Sequence, residues 1–254
     1  MTNASSPSRK GFVLAVAAAL VAGGAAGWFW HSYRADPAAN LGAADRAAIE
    51  TVVHDYILAH PEILPQAMEN LQKRETASAL SSIRGEVEKP FPGAIMGNPQ
   101  GKVTLVEFTD FACGYCRQSV ADVDALIAAN PELRVVVREL PILSEESAGA
   151  ARMALAAAEQ GKYGAFHRAM FAAGRPDPAT VEAAAKTAGV DLDRARRFAA
   201  DPRVEAELRR NLDLARQLGF NGTPSWVVGD AIMSGAVGKD RLAAAITAAA
   251  TARQ

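Results

Sequence analysis

The chain has 254 residues, of which 50% are hydrophobic and 22% are charged, and its net charge is −1. This length allows one large domain or two modest ones with a buried core. The charge balance argues against a nucleic-acid-binding protein, which usually has a basic excess. Two cysteines and four scattered histidines are too few for several disulfides or a four-cysteine zinc site, so no metal is expected.

The N-terminal region predicts export from the cytoplasm. Residues 1–10 form a polar tail that ends in Arg9-Lys10, and residues 11–30 follow without a charge. A helix of this length spans about 30 Å, the thickness of the hydrocarbon layer of a bilayer. The basic pair predicts that the tail is cytoplasmic. We therefore expect a transmembrane anchor, with a cleaved signal peptide as the alternative. Either one delivers the rest of the chain to an oxidising space.

A helical region without chemistry of its own is predicted to come next. Residues 31–44 are small and polar and indicate a linker, and residues 45–89 form the helical region. A second helix in it extends from about Pro65 to Val87. Both helices are amphipathic, so they either pack on the main domain or join copies of the chain into a homo-oligomer. The first helix has apolar residues at helical spacing, namely Ile49, Val52, Val53, Tyr56 and Ile57.

The main domain, residues 93–254, has an α/β pattern. Its first three elements form a strand–helix–strand unit, which implies a parallel pair of strands. Residues 145–218 are almost wholly helical and indicate a helical insertion, and a hairpin and a final helix follow it. The predicted elements outside the insertion are strand Val103–Phe108, helix Arg117–Ala129, strand Leu133–Leu140, strands Ser225–Val228 and Ala231–Met233, and helix 239–251.

The candidate reactive residues are in the motif Cys113-Gly114-Tyr115-Cys116, which lies between a predicted strand and a predicted helix. A cysteine at a helix N-terminus faces unpaired N–H groups and the positive end of the helix dipole, which favour the thiolate. We expect Cys113 to be the attacking, solvent-facing sulfur. Cys116, one turn further on and more buried, would resolve the mixed disulfide. Half of a metal site and an inert local disulfide are the alternatives.

Three further features accompany this pair. Glu107 lies in an otherwise apolar strand. If its side chain points inward, burial should raise the pKa of the carboxyl, which could then accept the Cys116 proton. An outward orientation is the alternative.

Thr223-Pro224 precedes a strand, where a cis bond would leave the Thr223 backbone free to pair with an extended substrate. An apolar rim for unfolded peptides could also surround the sulfurs, formed by Phe111, Tyr115, Phe220 and Trp226. Ordinary core packing is the alternative, and we favour it for Trp226.

These motifs together resemble the thioredoxin-fold disulfide oxidoreductases of the DsbA family. The resemblance covers about residues 95–254, and the long segment between Cys116 and Pro224 is similar to the helical domain that the family inserts there. It implies a thioredoxin fold with an inserted helical domain, preceded by the anchor and the helical region. Residues 45–88 resemble the N-terminal region of the ScsC and Com1-like branch, whose members can oligomerise.

Two positions depart from the oxidase pattern. Tyr115 stands where the well-known oxidase has histidine, and Thr223 stands where it has valine. Both residues resemble the disulfide isomerase DsbC. The family implies substrate contacts at Thr223, Pro224, Gly114 and Tyr115, and no cofactor beyond a Cys113–Cys116 disulfide.

The resemblance implies a periplasmic enzyme that forms or rearranges disulfides in exported proteins. Its implied partners are unfolded or misoxidised exported proteins and a membrane redox partner. An isomerase, a dedicated reductant and a non-catalytic chaperone remain the alternatives.

Overall fold

The structure is a computed structural model that describes residues 42–252. The chain divides into two units, Met1–Met68 and Glu69–Gln254. The predicted anchor at 11–30, the tail at 1–10 and the linker as far as residue 41 lie outside the described residues. Within residues 42–252, no helix is both long enough and apolar enough to cross a membrane.

The first unit contains helix α1 (Ala43–Ala59) and the beginning of helix α2 (Ile63–Val87). Helix α1 starts within the predicted linker, because Ala43 and Ala44 are helical. The predicted helix is confirmed, yet none of its side chains is buried. Val52 is 68% exposed and Tyr56 is 55% exposed. The apolar stripe of α1 therefore lies open to solvent in the single chain.

The second half of α2 belongs to the second unit and is anchored in its core. Leu80 and Val87 are fully buried and pack in one cluster with Val136 of the sheet, whereas Leu71 remains exposed. The expectation that these helices pack on the main domain is therefore confirmed for the end of α2.

A mixed sheet of five strands forms the centre of the second unit, in the order β1-β3-β2-β4-β5. The predicted parallel pair is confirmed, because β2 and β3 run parallel, and β4 and β5 form the predicted hairpin. Strand β1 was not predicted, since three residues are too short to show periodicity. The strands are β1 (Ile95–Gly97), β2 (Val103–Thr109), β3 (Leu133–Glu139), β4 (Ser225–Val228) and β5 (Ala231–Ser234).

The predicted helical insertion is confirmed between β3 and β4. Four of its five helices begin where short polar side chains accept the first free N–H groups, namely those of Ser144, Asp177, Asp191 and Asp201. The helices of the second unit after α2 are α3 (Gly114–Ala129), α4 (Glu145–Glu159), α5 (Tyr163–Ala173), α6 (Pro178–Thr187), α7 (Leu192–Ala199), α8 (Pro202–Gln217) and α9 (Lys239–Thr251).

Apolar side chains cover both faces of the sheet. One face, with Leu105 and Trp226, belongs to a cluster that includes side chains of α3, α9 and the insertion. The other face, with Val106 and Phe108, packs against α2 and α8. All seven residues of β2 are therefore buried, and any polar group on this strand is removed from water.

Arg138 of β3 holds the second face together. Its side chain is 2% exposed, and it donates to Glu207 at 2.9 Å and to Asn211 at 2.7 Å, both on α8. It also donates to backbone carbonyls at the end of α2, including that of Val87 at 3.1 Å. One buried guanidinium thus joins the sheet, α8 and the C-terminal end of α2.

We predict that Arg138→Met lowers the free energy of unfolding by about 3 kcal/mol or more, because the change leaves Glu207 buried without its cation. Urea denaturation of the reduced protein measures this loss. The double variant Arg138→Met/Glu207→Leu removes both charges and should recover part of it. A double variant as unstable as the single one would contradict this account.

Candidate active site

The two cysteines lie at the start of α3, directly beyond the buried strand β2. Cys113 is the N-cap residue of α3, and its Sγ accepts the N–H of Cys116 at 3.3 Å. The turn before it is fixed by Asp110, whose carboxyl accepts N–H bonds from Ala112, Ile142 and Leu143 at 2.8–2.9 Å. The sequence motif therefore produces the predicted strand–turn–helix arrangement.

The Thr223-Pro224 segment lies opposite Cys113, and its peptide bond is cis, as predicted. The Sγ of Cys113, in its thiol form, donates to the backbone oxygen of Thr223 at 3.2 Å, across 110 positions in sequence. Pro224 is buried, whereas Thr223 is partly exposed. The fold thus brings the two predicted parts of the site into direct contact.

Exposure differs sharply among the four residues of the motif. Cys116 is fully buried, as expected. Cys113 is only 5% exposed, so the expectation of a solvent-facing sulfur is wrong in degree, because the Thr223 carbonyl lies against it. Gly114 is exposed and Tyr115 is 64% exposed, so these two residues form the open edge of the site.

The two thiols differ strongly in acidity. The pKa of Cys113 falls to about 5, chiefly because the Cys116 thiol donates a hydrogen bond to its sulfur; burial opposes this effect. The backbone N–H groups of Cys116 and Tyr115 lower it further. Burial raises the pKa of Cys116 well above the ordinary thiol value, and the interactions with Cys113 and Glu107 raise it further. At neutral pH the pair therefore holds one thiolate and one thiol.

Glu107 points into the core and is 1% exposed, so the inward orientation is confirmed and the outward alternative is wrong. Its register partners are Val137 on β3 and Trp226 on β4. Burial raises its pKa to about 8, and the charge of the Cys113 thiolate adds to this rise. Its Oε2 atom has no hydrogen-bond partner among the described residues. Glu107 is thus a buried group that can hold or release a proton near neutral pH.

The predicted apolar rim is wrong for Phe111 and Phe220, whereas Trp226 packs in the core as expected. Phe111 packs on Phe166 and Phe171 at ring distances of 5.7 and 4.9 Å, and it is 1% exposed. Phe220 and Trp226 are buried as well, because they fill the clusters on the two faces of the sheet. Only Tyr115 is exposed as the rim requires.

Sequence reasoning missed three buried polar residues near the site: Asp110, Glu139 and Tyr163. The Tyr163 hydroxyl donates to Oε1 of Glu139 at 2.6 Å. The pKa values of Glu139 and Tyr163 both rise, in each case mainly because the group is buried. Glu139 lies on the same side of β3 as the core residues Val135 and Val137, so the alternation of the strand could have predicted its burial. The tyrosine contact had no sequence signal.

The site contains no evident metal-binding group. Within residues 42–252, no cluster of three or more His, Cys, Asp or Glu side chains has the arrangement of a metal site. His167 is buried among aromatic rings, and burial lowers its pKa to about 4. The chemistry that the arrangement supports is nucleophilic attack by the Cys113 thiolate, with proton transfer at Cys116 and Glu107.

We predict that alkylation of Cys113 by iodoacetamide rises with pH through about 5 and is constant above it, because only the thiolate reacts. The rate of carbamidomethylation of the reduced protein measures this. Cys116→Ala removes the principal hydrogen-bond donor and should move the midpoint upward. A wild-type midpoint near 8.5, the ordinary value of a thiol, would contradict the assignment.

Comparison with known proteins agrees with this geometry. A family model described as a DSBA-like thioredoxin domain matches residues 104–247. A second model, the N-terminal domain of the copper resistance protein ScsC, matches residues 45–77. The chain is also 32% identical over 158 residues to a Na(+)/H(+) antiporter NhaA of Salinispora arenicola. That match covers 61% of this chain, which spans about a quarter (24%) of the length of the antiporter.

Two solved structures are similar in fold and sequence. A thioredoxin-like oxidoreductase from Silicibacter pomeroyi DSS-3 is 45% identical, with a TM-score of 0.60, over 62% of this chain and 91% of that one. A linker-deletion mutant of Proteus mirabilis ScsC is 28% identical, with a TM-score of 0.64, over 84% of this chain and 98% of that one. Since the first family model covers more than half of the chain, this protein belongs to the family of DSBA-like thioredoxin domains.

Proposed function

We propose that this protein exchanges disulfides with exported proteins through Cys113 and Cys116, in a periplasmic space. The observation that carries the proposal is the environment of Cys113. Its sulfur caps α3 and accepts the Cys116 N–H at 3.3 Å. This environment favours a thiolate, the reactive form in disulfide exchange. The uncharged segment at residues 11–30 supports delivery to that space, whether it serves as an anchor or as a cleaved signal.

The exchange proceeds through a mixed disulfide. In the oxidising direction, a substrate thiolate attacks the Cys113 sulfur of the enzyme disulfide, and Cys116 leaves and takes a proton. A second substrate thiolate then attacks the substrate sulfur of the mixed disulfide and releases the Cys113 thiolate. Two electrons pass from the substrate dithiol to the enzyme, so a redox partner must restore the enzyme disulfide.

Glu107 is the proposed proton carrier for Cys116. Because Cys116 is fully buried, its proton cannot pass directly to bulk water. The Glu107 carboxyl would supply that proton when Cys116 leaves and accept it when Cys116 attacks. Formation of the mixed disulfide removes the Cys113 charge that raises the pKa of Glu107. The carboxylate of Glu107 is then more populated at the step in which Cys116 must lose its proton.

The acidity of Cys113 supports the oxidising direction. A thiolate that the folded protein stabilises lowers the free energy of the dithiol form relative to the disulfide. The disulfide therefore tends to accept electrons from other dithiols. Exposed Gly114 and Tyr115, with the partly exposed Thr223 next to buried Pro224, are the proposed contacts for an extended substrate segment.

We predict that Cys113→Ser abolishes both the oxidation of a reduced substrate protein and the reduction of insulin, because no sulfur remains for attack. Cys116→Ser should instead accumulate a mixed disulfide at Cys113 that mass spectrometry detects, since the resolving thiol is absent. Ser119→Ala, a change of a buried hydroxyl on the same helix, serves as the control. Unchanged activity of Cys113→Ser in both assays would refute the proposed function.

Rearrangement of wrong disulfides by an oligomer is a second candidate function. The exposed apolar stripe on α1 favours it, because such a stripe is buried when helices of several copies pack together. The match of residues 45–77 to the ScsC N-terminal domain agrees with a distinct role for this region.

We predict that Val53→Glu, in the full chain, lowers the oligomer mass in light scattering and slows the refolding of scrambled ribonuclease. The charge would be buried between apolar faces, whereas insulin reduction should be unchanged. Thr51→Glu places the same charge on the opposite side of α1 and is the matched control. A monomeric wild-type chain, or equal effects of the two changes, would remove the isomerase candidate.

A further inference from the structure

Strand β2 carries a buried hydroxyl that has no partner in the resting protein. Thr109 is the last residue of this strand and is fully buried. Its Oγ1 atom has no hydrogen-bond partner among the described residues. Buried hydroxyls are nearly always hydrogen-bonded, because an unpaired one gives up its bonds to water without replacement. Packing alone therefore does not explain a hydroxyl at this position.

Thr109 lies on the face of the sheet that α3 covers. Residues four apart on a strand point to the same face, so its side chain shares a face with Leu105. Leu105 packs in the same cluster as Cys116 of α3. The turn between β2 and α3 is tight, because the Cys113 N–H donates to the Asp110 oxygen at 2.9 Å. The first turn of α3, which contains Cys116, therefore begins next to the end of the strand.

The acidity of Cys116 responds to this end of the strand. Burial is the main cause that raises the pKa of its thiol, whereas the Thr109 side chain and the Asp110 backbone lower it. A hydroxyl or a backbone N–H stabilises a thiolate by donating a hydrogen bond to it. Two hydrogen-bond donors on consecutive residues therefore lie near the Cys116 sulfur.

The neighbouring carboxyls do not bind this hydroxyl. Glu139 is the register partner of Thr109 on β3, and Glu107 lies two residues before Thr109 on the same face. The Tyr163 hydroxyl donates to Oε1 of Glu139 at 2.6 Å. Within residues 42–252, the Oε2 atoms of both glutamates have no hydrogen-bond partner. The Thr109 hydroxyl is therefore available to another acceptor.

Disulfide exchange places a charge on Cys116 that the resting protein lacks. Cys116 is a thiol in the reduced enzyme and half of a disulfide in the oxidised enzyme, so its sulfur is negative only while a bond forms or breaks there. We propose that the Thr109 hydroxyl donates a hydrogen bond to the Cys116 sulfur as this charge develops, and so stabilises the transition state. Hydrogen bonds of this kind often tighten only in the transition state. The inference rests on the proposed exchange through Cys113 and Cys116.

The assisted step is the attack of Cys116 on the mixed disulfide. The Cys116 S–H bond breaks, and the proton passes to the Glu107 carboxylate. The Cys116 sulfur bonds to that of Cys113, and the bond between Cys113 and the other sulfur breaks, so that sulfur leaves as a thiolate. No outside oxidant is required, because the mixed disulfide already carries the oxidising equivalent. Thr109 keeps its own hydrogen throughout.

A donor that acts only on the developing charge changes rates and leaves the equilibrium constant unchanged. The forward and reverse reactions at Cys116 share one transition state, so both rates change by the same factor. Cys116 is uncharged in the dithiol and in the disulfide, so neither resting form gains from the hydroxyl. This combination distinguishes the proposed role from a general effect on the site.

The test compares Thr109→Val with the wild-type full chain in the reaction of the reduced protein with 5,5′-dithiobis(2-nitrobenzoate), followed by stopped flow at 412 nm. The first thionitrobenzoate is released when Cys113 attacks, and the second when Cys116 resolves the mixed disulfide. We predict that Thr109→Val slows the second phase about 10-fold or more, because a hydrogen bond to a charged sulfur is lost. The first phase should keep its rate.

Three further variants control for changes in packing. Thr109→Ser retains the hydroxyl and should restore most of the rate, whereas Thr109→Ala removes it without adding a methyl group and should slow the second phase as Thr109→Val does. Thr104→Val makes the same change on the same strand, where the hydroxyl instead accepts a bond from Arg134 at 2.7 Å. It should leave the second phase unchanged.

Two equilibrium measurements complete the test. The equilibrium of the cysteine pair with reduced and oxidised glutathione should be the same for Thr109→Val and the wild type. The thermal midpoint of Thr109→Val should be no lower than that of the wild type, because the change removes an unpaired buried hydroxyl.

The outcomes separate this inference from the proposed function. A second phase of wild-type rate in Thr109→Val and Thr109→Ala would overturn the role of Thr109, as would an equal slowing in Thr109→Ser or Thr104→Val. A glutathione equilibrium that shifts as much as the rate would also overturn it, because the hydroxyl would then act on a resting form. A wild-type chain that releases no second thionitrobenzoate would instead contradict the exchange through Cys113 and Cys116.

Discussion

The burial of strand β2 on both faces is the constraint on which the site depends. Neighbouring strands pair with it on each side, and helices cover it above and below. A carboxyl on such a strand cannot reach water, so its charged form is costly and its proton affinity rises. Asp110 follows this strand, and its carboxyl fixes the turn that places Cys113 at the start of α3. One buried strand therefore carries Glu107, the proposed proton carrier, and leads directly to Cys113.

The electrostatics of the site follow from this arrangement. The Cys113 sulfur accepts several hydrogen bonds, which favour the thiolate. Cys116 lies one helical turn further on and is more buried, so it remains a thiol. The negative charge of Cys113 and the burial of Glu107 oppose the ionisation of the carboxyl together. A change in the charge of Cys113 therefore changes the proton affinity of Glu107.

The helical insertion packs over this site and is also connected to it by hydrogen bonds. Tyr163 of α5 reaches Glu139, and Arg117, directly after Cys116, donates to the carbonyl oxygens of Phe171 and Gly174 at the end of α5. On the opposite face, Arg138 connects the sheet to α8 and to the end of α2. The insertion thus contacts Glu139 through α5 and Arg138 through α8, and the end of α2 contacts Arg138 as well.

Local sequence patterns determined most of the secondary structure and the position of the cysteine motif. Helical spacing and strand runs predicted most elements to within a few residues. Cys113-Gly114-Tyr115-Cys116 indicated the candidate reactive centre, because the geometry at a helix start is local. Only the tertiary structure decided the contacts between distant segments. The approach of Thr223 to Cys113, the bond from Tyr163 to Glu139 and the burial of Phe111, Phe220 and Trp226 depend on how helices pack on the sheet. Periodicity shows which side of a strand or helix is apolar, but the partner across the core is set by packing of the whole chain.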